Sequence, residues 1–102
     1  FEAMKIGTIF VNVARGKIVD ETALIAALQS GHLGGAVLDV FENEPLDSNS
    51  PLWQLKNVII SPHVSGITAR YDELALRVFA DNLRRYTAGQ PLLNQVNIQQ
   101  GY

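Results

Sequence analysis

Thr8 to Gly16, with the sequence TIFVNVARG, is the stretch that decides the fold of this 102-residue chain. Its apolar run is bounded by turn signals, which is typical of a strand covered on both faces, although a short buried helix has the same pattern. The β-branched content favours the strand. Arg15 then lies just past the carboxyl end of that strand, where ligands bind in open α/β sheets. We therefore treat Arg15 as a candidate site residue.

The next residues alternate between helix and strand signals. Asp20 is a good N-cap for a helix over residues 21–30, and Gly31 is suited to end it. Buried strands are predicted over Ala36 to Phe41 and over Asn57 to Ser61. Strand, helix, strand, short connection and strand is the order of half a doubly wound parallel sheet. The chain is therefore predicted to be an α/β protein.

Both ends of the chain carry helical signals. The opening FEAMKIG has the residues of a final helical turn, with Lys5 near its end and Gly7 after it, so we expect a longer polypeptide. From about Thr68 to Ala88 the apolar residues recur with the helical period, and Asn82 is the polar residue of that stripe. A helix of about 20 residues is about 30 Å long and can cross between domains.

Composition excludes several classes of function. The formal net charge is −2, which offers no electrostatic footprint for nucleic acid or an anionic membrane. The chain has no cysteine, which excludes disulfide and thiolate chemistry within it. No apolar run approaches the roughly 18 residues of a membrane-spanning helix. A GxSxG elbow and a Walker loop are both absent, and one histidine with two acids is a poor zinc set.

Topology decides which polar residues can meet. Four of them lie at or beyond the later part of a predicted strand: Arg15, Glu44 and His63 follow strands, and Asp39 interrupts the second one. Each alone has an ordinary explanation as a solvated or turn residue. If the three strands are parallel, all four emerge from carboxyl ends and converge on one edge of the sheet. His32 precedes the second strand and belongs at the opposite edge.

A histidine, a carboxylate and a guanidinium in one cleft fit proton transfer beside an anionic substrate. Histidine is the usual general acid or base near neutral pH. A carboxylate that pairs with one ring nitrogen fixes the tautomer of the ring. Arginine binds a carboxylate through two parallel hydrogen bonds.

Four motifs follow one another along the chain: FVNVARGKIVDETALIAAL, GGAVLDVFENEPL, SPLWQLKNVIISPHVSG and, more weakly, GQPLLNQVN. Together they resemble the carboxyl-terminal part of the D-isomer-specific 2-hydroxyacid dehydrogenases. They occur in the family's order and cover nearly the whole chain. The resemblance implies the second half of a Rossmann-type NAD(P)-binding domain in residues 1–66, with three parallel strands and helices. It implies a long interdomain helix and tail in residues 67–102, returning to the substrate domain of a larger two-domain protein.

The resemblance also implies roles for individual positions. Arg15 matches the arginine that holds the substrate's carboxylate and carbonyl, His63 the catalytic histidine, and Glu44 its acid partner. Asp39 matches a residue at the nicotinamide carboxamide end of the cofactor. Ser65 stands where many relatives have glycine or alanine. The positions implied to line the cofactor are Val13, Ala14, Arg15, Asp39, His63, Val64, Ser65 and Gly66, and no metal site is implied.

The implied reaction is reversible hydride transfer between NAD or NADP and a 2-oxo acid, giving a D-2-hydroxy acid. The resemblance further implies a cytoplasmic homodimer with neither a nucleic-acid nor a membrane partner. Glyoxylate, hydroxypyruvate, phosphohydroxypyruvate and pyruvate-like acids all remain open as substrates. Trp53 is either a wall of the substrate pocket or the buried anchor of its loop.

Two other functions belong to the same fold. Corepressor relatives use it as a cofactor-sensitive interaction module, and formate oxidation would require a glutamine in place of Glu44. The sequence has no GxGxxG turn, and its Gly34–Gly35 pair enters the second strand. We therefore predict that these 102 residues alone neither bind NAD tightly nor turn over substrate.

Overall fold

The computed structural model describes residues 1–99, which fall into two compact units, one of residues 1–66 and one that begins at Ile67. The first unit contains a three-stranded parallel sheet with its strands in chain order. Its elements are β1 (Thr8–Asn12), α1 (Glu21–Gln29), β2 (Leu33–Leu38) and β3 (Val58–Ile60), with short 3₁₀ turns at Gly16–Ile18 and Pro51–Gln54. The predicted α/β class and the parallel strands are confirmed.

The core of the first unit lies on one face of this sheet. Helix α1 packs against β2, and its first turn is capped as predicted, because the Asp20 carboxylate accepts the Ala23 N–H at 2.9 Å. The buried apolar cluster consists of Leu24, Leu28, Leu33, Ala36, Leu38, Phe41 and Leu52.

The other face of the sheet is exposed within this unit. Ile9, Val11 and Ile59 are each more than half exposed, and the strand register places Val37 beside Val11 and Ile59. Successive side chains of a strand point to opposite faces, so only alternate residues of β1 reach the core. The expectation that β1 is covered on both faces is therefore wrong for the described residues.

Several element boundaries differ from the predictions, most clearly at the opening segment and at both ends of β2. The opening FEAMKIG forms turns and no helix, although Gly7 does adopt a positive φ of 83°. Strand β2 spans Leu33–Leu38 rather than Ala36 to Phe41, because Leu33 and Gly35 already pair with β1, with an irregularity in the register between them. A Cβ on Gly34 would lie 2.5 Å from the Gly7 carbonyl oxygen, so glycine permits this close approach of the two backbones.

The second unit is built around the amphipathic helix α2 (Tyr71–Thr87), which is followed by Gly89 with a φ of 66°. Asn82, the polar residue of its stripe, holds the tail. Its Oδ1 accepts the Leu93 N–H at 2.6 Å, and its Nδ2 donates to the Leu93 carbonyl oxygen at 3.3 Å. In the same tail, the Ile98 side chain is almost fully exposed.

Among residues 1–99 there is no helix long and apolar enough to cross a membrane.

Candidate active site

A row of polar residues marks the carboxyl edge of the sheet. Asn12 is the last residue of β1, and Asp39 and Ser61 directly follow β2 and β3. Backbone hydrogen bonds extend the ladder to this row, since Asp39 N donates to Asn12 O at 3.0 Å and Ser61 N donates to Leu38 O at 2.9 Å. This is the edge at which the topology predicted that polar residues would meet.

Asn12 shapes the turn that carries Arg15. Its buried side chain accepts the Ala14 N–H at 3.1 Å and donates to the Arg15 carbonyl oxygen at 3.0 Å. The Arg15 guanidinium donates from Nη1 to the Ala14 carbonyl oxygen at 2.6 Å. The turn therefore presents the guanidinium at the sheet edge. Asn12 was not singled out from the sequence, where its signal is a polar residue inside an apolar run.

Gly16 holds this turn against the loop that follows β2. A Cβ on Gly16 would lie 1.8 Å from the Phe41 carbonyl oxygen, so no other residue fits there without movement of the backbone. The loops that carry Arg15 and Glu44 consequently lie side by side. An open cavity of about 580 Å³ has Arg15, Lys17, Glu44 and His63 among its walls.

Glu44 and His63 form a hydrogen-bonded pair, as the resemblance implied, at the sheet edge where topology predicted that both would lie. His63 Nδ1 lies 2.7 Å from Glu44 Oε2, and Glu44 Oε1 accepts the Phe41 N–H at 3.0 Å. The His63 hydrogen bond, the Phe41 amide and the charges of His63 and Arg15 lower the pKa of Glu44. Glu44 is therefore a carboxylate at neutral pH. Because Nδ1 faces Glu44, Nε2 is the ring nitrogen left for a ligand.

Asp39 supports the loop around His63. Its side chain is only 1% exposed, and Oδ1 accepts from Ser61 Oγ at 2.5 Å and from Val64 N at 2.9 Å. Oδ2 accepts from Ser65 N at 2.8 Å. Hydrogen bonds from Ser61 and Ser65, with that of the Val64 amide, hold the pKa of Asp39 far below its usual range. The contact of Asp39 with a nicotinamide carboxamide stays a prediction, and Ser61 is a residue that the sequence patterns did not single out.

The positions predicted to line a cofactor offer an open and partly apolar surface. Val13 and Val64 are exposed at this edge, and a Cβ built on Gly66 meets nothing within 4 Å. Such a surface fits the flat nicotinamide ring. The glycine-rich turn that binds the diphosphate of a dinucleotide is absent from the sequence. The residues present therefore fit the nicotinamide end of the cofactor and not its phosphates.

His32 lies apart from this arrangement, whereas Trp53 borders it. His32 directly precedes β2, at the predicted opposite edge, with Nε2 3.0 Å from the Phe1 carbonyl oxygen. Trp53 is 53% exposed, so its interpretation as a buried anchor is wrong, and its Nε1 donates to the Asp47 carbonyl oxygen at 2.9 Å. The indole lines a second cavity of about 400 Å³ that also has Glu44 and His63 among its walls. A role for Trp53 in a substrate pocket stays a prediction.

Residues 1–65 match the family model described as D-isomer specific 2-hydroxyacid dehydrogenase, NAD binding domain. A glyoxylate/hydroxypyruvate reductase B of Cronobacter sakazakii is 50% identical over 99 residues, which cover 95% of this chain and 30% of that protein. An (S)-sulfolactate dehydrogenase of Chromohalobacter salexigens is 49% identical over 82 residues, which cover 80% of this chain and 26% of that protein.

Solved structures agree with this match. The crystal structure of a D-isomer specific 2-hydroxyacid dehydrogenase from Xanthobacter autotrophicus Py2, in complex with NADPH and MES, aligns with a TM-score of 0.89 and 50% identity. That alignment covers 97% of this chain and 40% of the other. The chain thus spans only about 30% of the length of the Cronobacter relative.

Proposed function

The chain belongs to the D-isomer specific 2-hydroxyacid dehydrogenase family, and we propose that the protein containing it catalyses reversible hydride transfer between NAD(P)H and a 2-oxo acid. The product of the reduction is a D-2-hydroxy acid. The observation that carries the proposal is the Glu44–His63 pair, which shares one cavity with Arg15. Because the curated relatives are much longer, the activity is proposed for the whole protein that includes these residues.

Arg15 binds the substrate in this proposal. The remaining N–H groups of its guanidinium form a planar fork that matches a carboxylate, and a 2-oxo acid offers the carboxylate and the adjacent carbonyl oxygen on one side. The cavity is open at this point, and Arg15 and Lys17 are its cationic walls. The substrate carbonyl is then oriented towards His63.

His63 supplies the proton for the reduction. Nε2 donates to the carbonyl oxygen as that oxygen becomes the hydroxyl of the product, and it accepts the proton in the reverse direction. Glu44 remains ionised, holds the ring through Nδ1 and stabilises its protonated form. The nicotinamide cofactor supplies or takes up the hydride when it is bound.

The same proposal includes the finer properties that the resemblance implied. The substrate is a small 2-oxo acid, which is supported by relatives named for glyoxylate, hydroxypyruvate and sulfolactate. Use of NADP as well as NAD is supported by the NADPH-bound relative. We also propose a cytoplasmic homodimer, in which the segment from residue 67 returns to the substrate domain. Light scattering tests the dimer and cell fractionation tests the location.

The decisive experiment compares two histidines of the chain in the intact protein. We expect His63→Ala to lower kcat for glyoxylate reduction by about 10²- to 10⁴-fold, the usual contribution of a general acid, while cofactor affinity is retained. His32→Ala is the matched control, because His32 lies at the other edge of the sheet and should leave kcat unchanged. The rate is followed through the absorbance of NAD(P)H. Unchanged turnover in His63→Ala would overturn the proposal.

A further inference from the structure

The loop that carries His63 has a backbone conformation that is uncommon for residues other than glycine. His63 has a φ of 53°, in the left-handed region that favours glycine. A residue persists in this region only when its surroundings determine its conformation. Something in the loop must therefore hold His63 in place, and Glu44 contacts only the end of its side chain.

Asp39 and Ser61 meet this requirement. The buried Asp39 carboxylate accepts one hydrogen bond from the chain before His63, from the Ser61 hydroxyl, and two from the chain after it, from the amides of Val64 and Ser65. The loop is thereby fixed on both sides of the histidine to one residue of the neighbouring strand end. A carboxylate removed from water forms strong hydrogen bonds with such donors, and leaving any of them unpaired is costly.

We propose that Ser61, acting through Asp39, is a positioning residue that keeps His63 aligned for proton transfer. This inference rests on the proposed function, because it concerns the same histidine. Ser61 lines the cavity of Trp53 and not that of Arg15, and its hydroxyl already donates to Asp39 rather than to a substrate. Its hydroxyl therefore controls the rate of the chemical step, through the orientation of His63, and has little influence on substrate binding.

The test removes and restores one hydroxyl in the intact enzyme. We expect Ser61→Ala to lower kcat by about 10-fold, which corresponds to ~1.4 kcal/mol in the barrier, with KM for glyoxylate nearly unchanged. Ser61→Thr retains the hydroxyl and should restore most of kcat. Ser30→Ala is the matched control, because the Ser30 hydroxyl donates to the Ala27 carbonyl oxygen at the end of α1.

Two further measurements follow the loop without reference to turnover. Amide hydrogen exchange at Val64 and Ser65 should become faster in Ser61→Ala and return to the wild-type rate in Ser61→Thr. Thermal unfolding shows whether Ser61→Ala remains folded. If it does not, Asp39→Asn serves instead. The NH₂ group of asparagine cannot accept a hydrogen bond, so it must oppose at least one of the three donors that Asp39 accepts from.

Each outcome decides something. An active wild-type enzyme in which Ser61→Ala retains full kcat, or in which Ser61→Thr fails to restore it, overturns the inference and leaves the proposed function intact. A loss expressed entirely in KM also overturns it. Wild-type protein that reduces no 2-oxo acid overturns the proposed function. Unchanged amide exchange at Val64 and Ser65 in Ser61→Ala overturns the inference that Ser61 and Asp39 hold the loop.

Discussion

At the scale of single residues, the proposed chemistry depends most directly on the negative charge of Glu44. Its pKa lies below its ordinary value of 4.5, chiefly because of the hydrogen bond from His63. Because the carboxyl pKa is lowered, the charge and the stabilisation that comes with it are present at neutral pH. Both are lost only when the pH falls through the lowered pKa. Between about pH 5 and 9 the ring of His63 therefore always faces a carboxylate.

Glu44→Gln keeps the size of the side chain and removes this charge. We expect a lower kcat for reduction at pH 7, because the ring of His63 loses the carboxylate that holds it through Nδ1. Steady-state kinetics of the intact wild-type and variant enzymes at pH 7 measure this loss. An equal kcat in the two enzymes would contradict the assignment of Glu44.

The two cations of the Arg15 cavity make a second comparison at the same scale. Arg15→Lys keeps the charge but loses the planar fork, so we expect KM for the 2-oxo acid to rise by about 10-fold or more. Lys17→Ala removes the other cation of the same cavity and should change KM much less. Steady-state kinetics with glyoxylate give both values. An equal effect of the two substitutions would indicate that charge alone binds the substrate.

The sequence could predict the residues that carry reactive groups and could not predict those that hold them. That Arg15, Glu44 and His63 lie at one edge follows from parallel topology, because residue type and strand end are both visible in the sequence, whereas their roles were implied by the resemblance. The partners of Asp39 are not visible, since its bonds to Ser61 and to backbone amides join residues more than 20 positions apart. Such contacts depend on the exact register of the strands.

At the scale of elements, the site depends on how closely two loops approach each other. Gly16→Ala would place a Cβ against the Phe41 carbonyl and push apart the loops that carry Arg15 and Glu44. We expect a loss of about 1–3 kcal/mol in the free energy of unfolding, as for other overpacked sites. Gly66→Ala is the matched control, because its Cβ meets open space, and should stay within about 0.5 kcal/mol. Urea unfolding of the intact protein measures both, and equal stabilities would contradict the close approach.

The elements themselves were predictable where local chemistry sets them. Asp20 caps α1 and a positive φ occurs at Gly31 and Gly89, as expected from their residue types. The start of β2 was missed because glycine disfavours strands in general. Here Gly34 and Gly35 are required by backbone contacts, with Gly7 and with Asn57, that only the folded sheet reveals.

At the scale of the whole chain, the described residues contain the polar groups of the candidate site, and the sequence lacks the glycine-rich turn that binds a diphosphate. The first unit supplies the Glu44–His63 pair, Arg15 in the same cavity and the open space beside Gly66, where we propose that the nicotinamide ring binds. Its sheet leaves one apolar face exposed within the described residues, which includes Ile9, Val11 and Ile59. We therefore expect the chemistry-bearing residues and the cofactor affinity to be separable, since a glycine-rich turn elsewhere in a dinucleotide-binding domain holds the diphosphate.

Cofactor binding by residues 1–102 alone tests this separation. A dinucleotide gains much of its affinity where a glycine-rich turn and a helix N-terminus hold its diphosphate, and the sequence contains no such turn. We therefore expect titration calorimetry of the isolated chain to show a dissociation constant for NADH and NADPH weaker than about 1 mM, the equivalent of only ~4 kcal/mol. Circular dichroism of the same sample checks that the chain is folded. Micromolar binding by the folded chain would show that the edge formed by Val13, Val64 and Gly66 holds the cofactor without a phosphate turn.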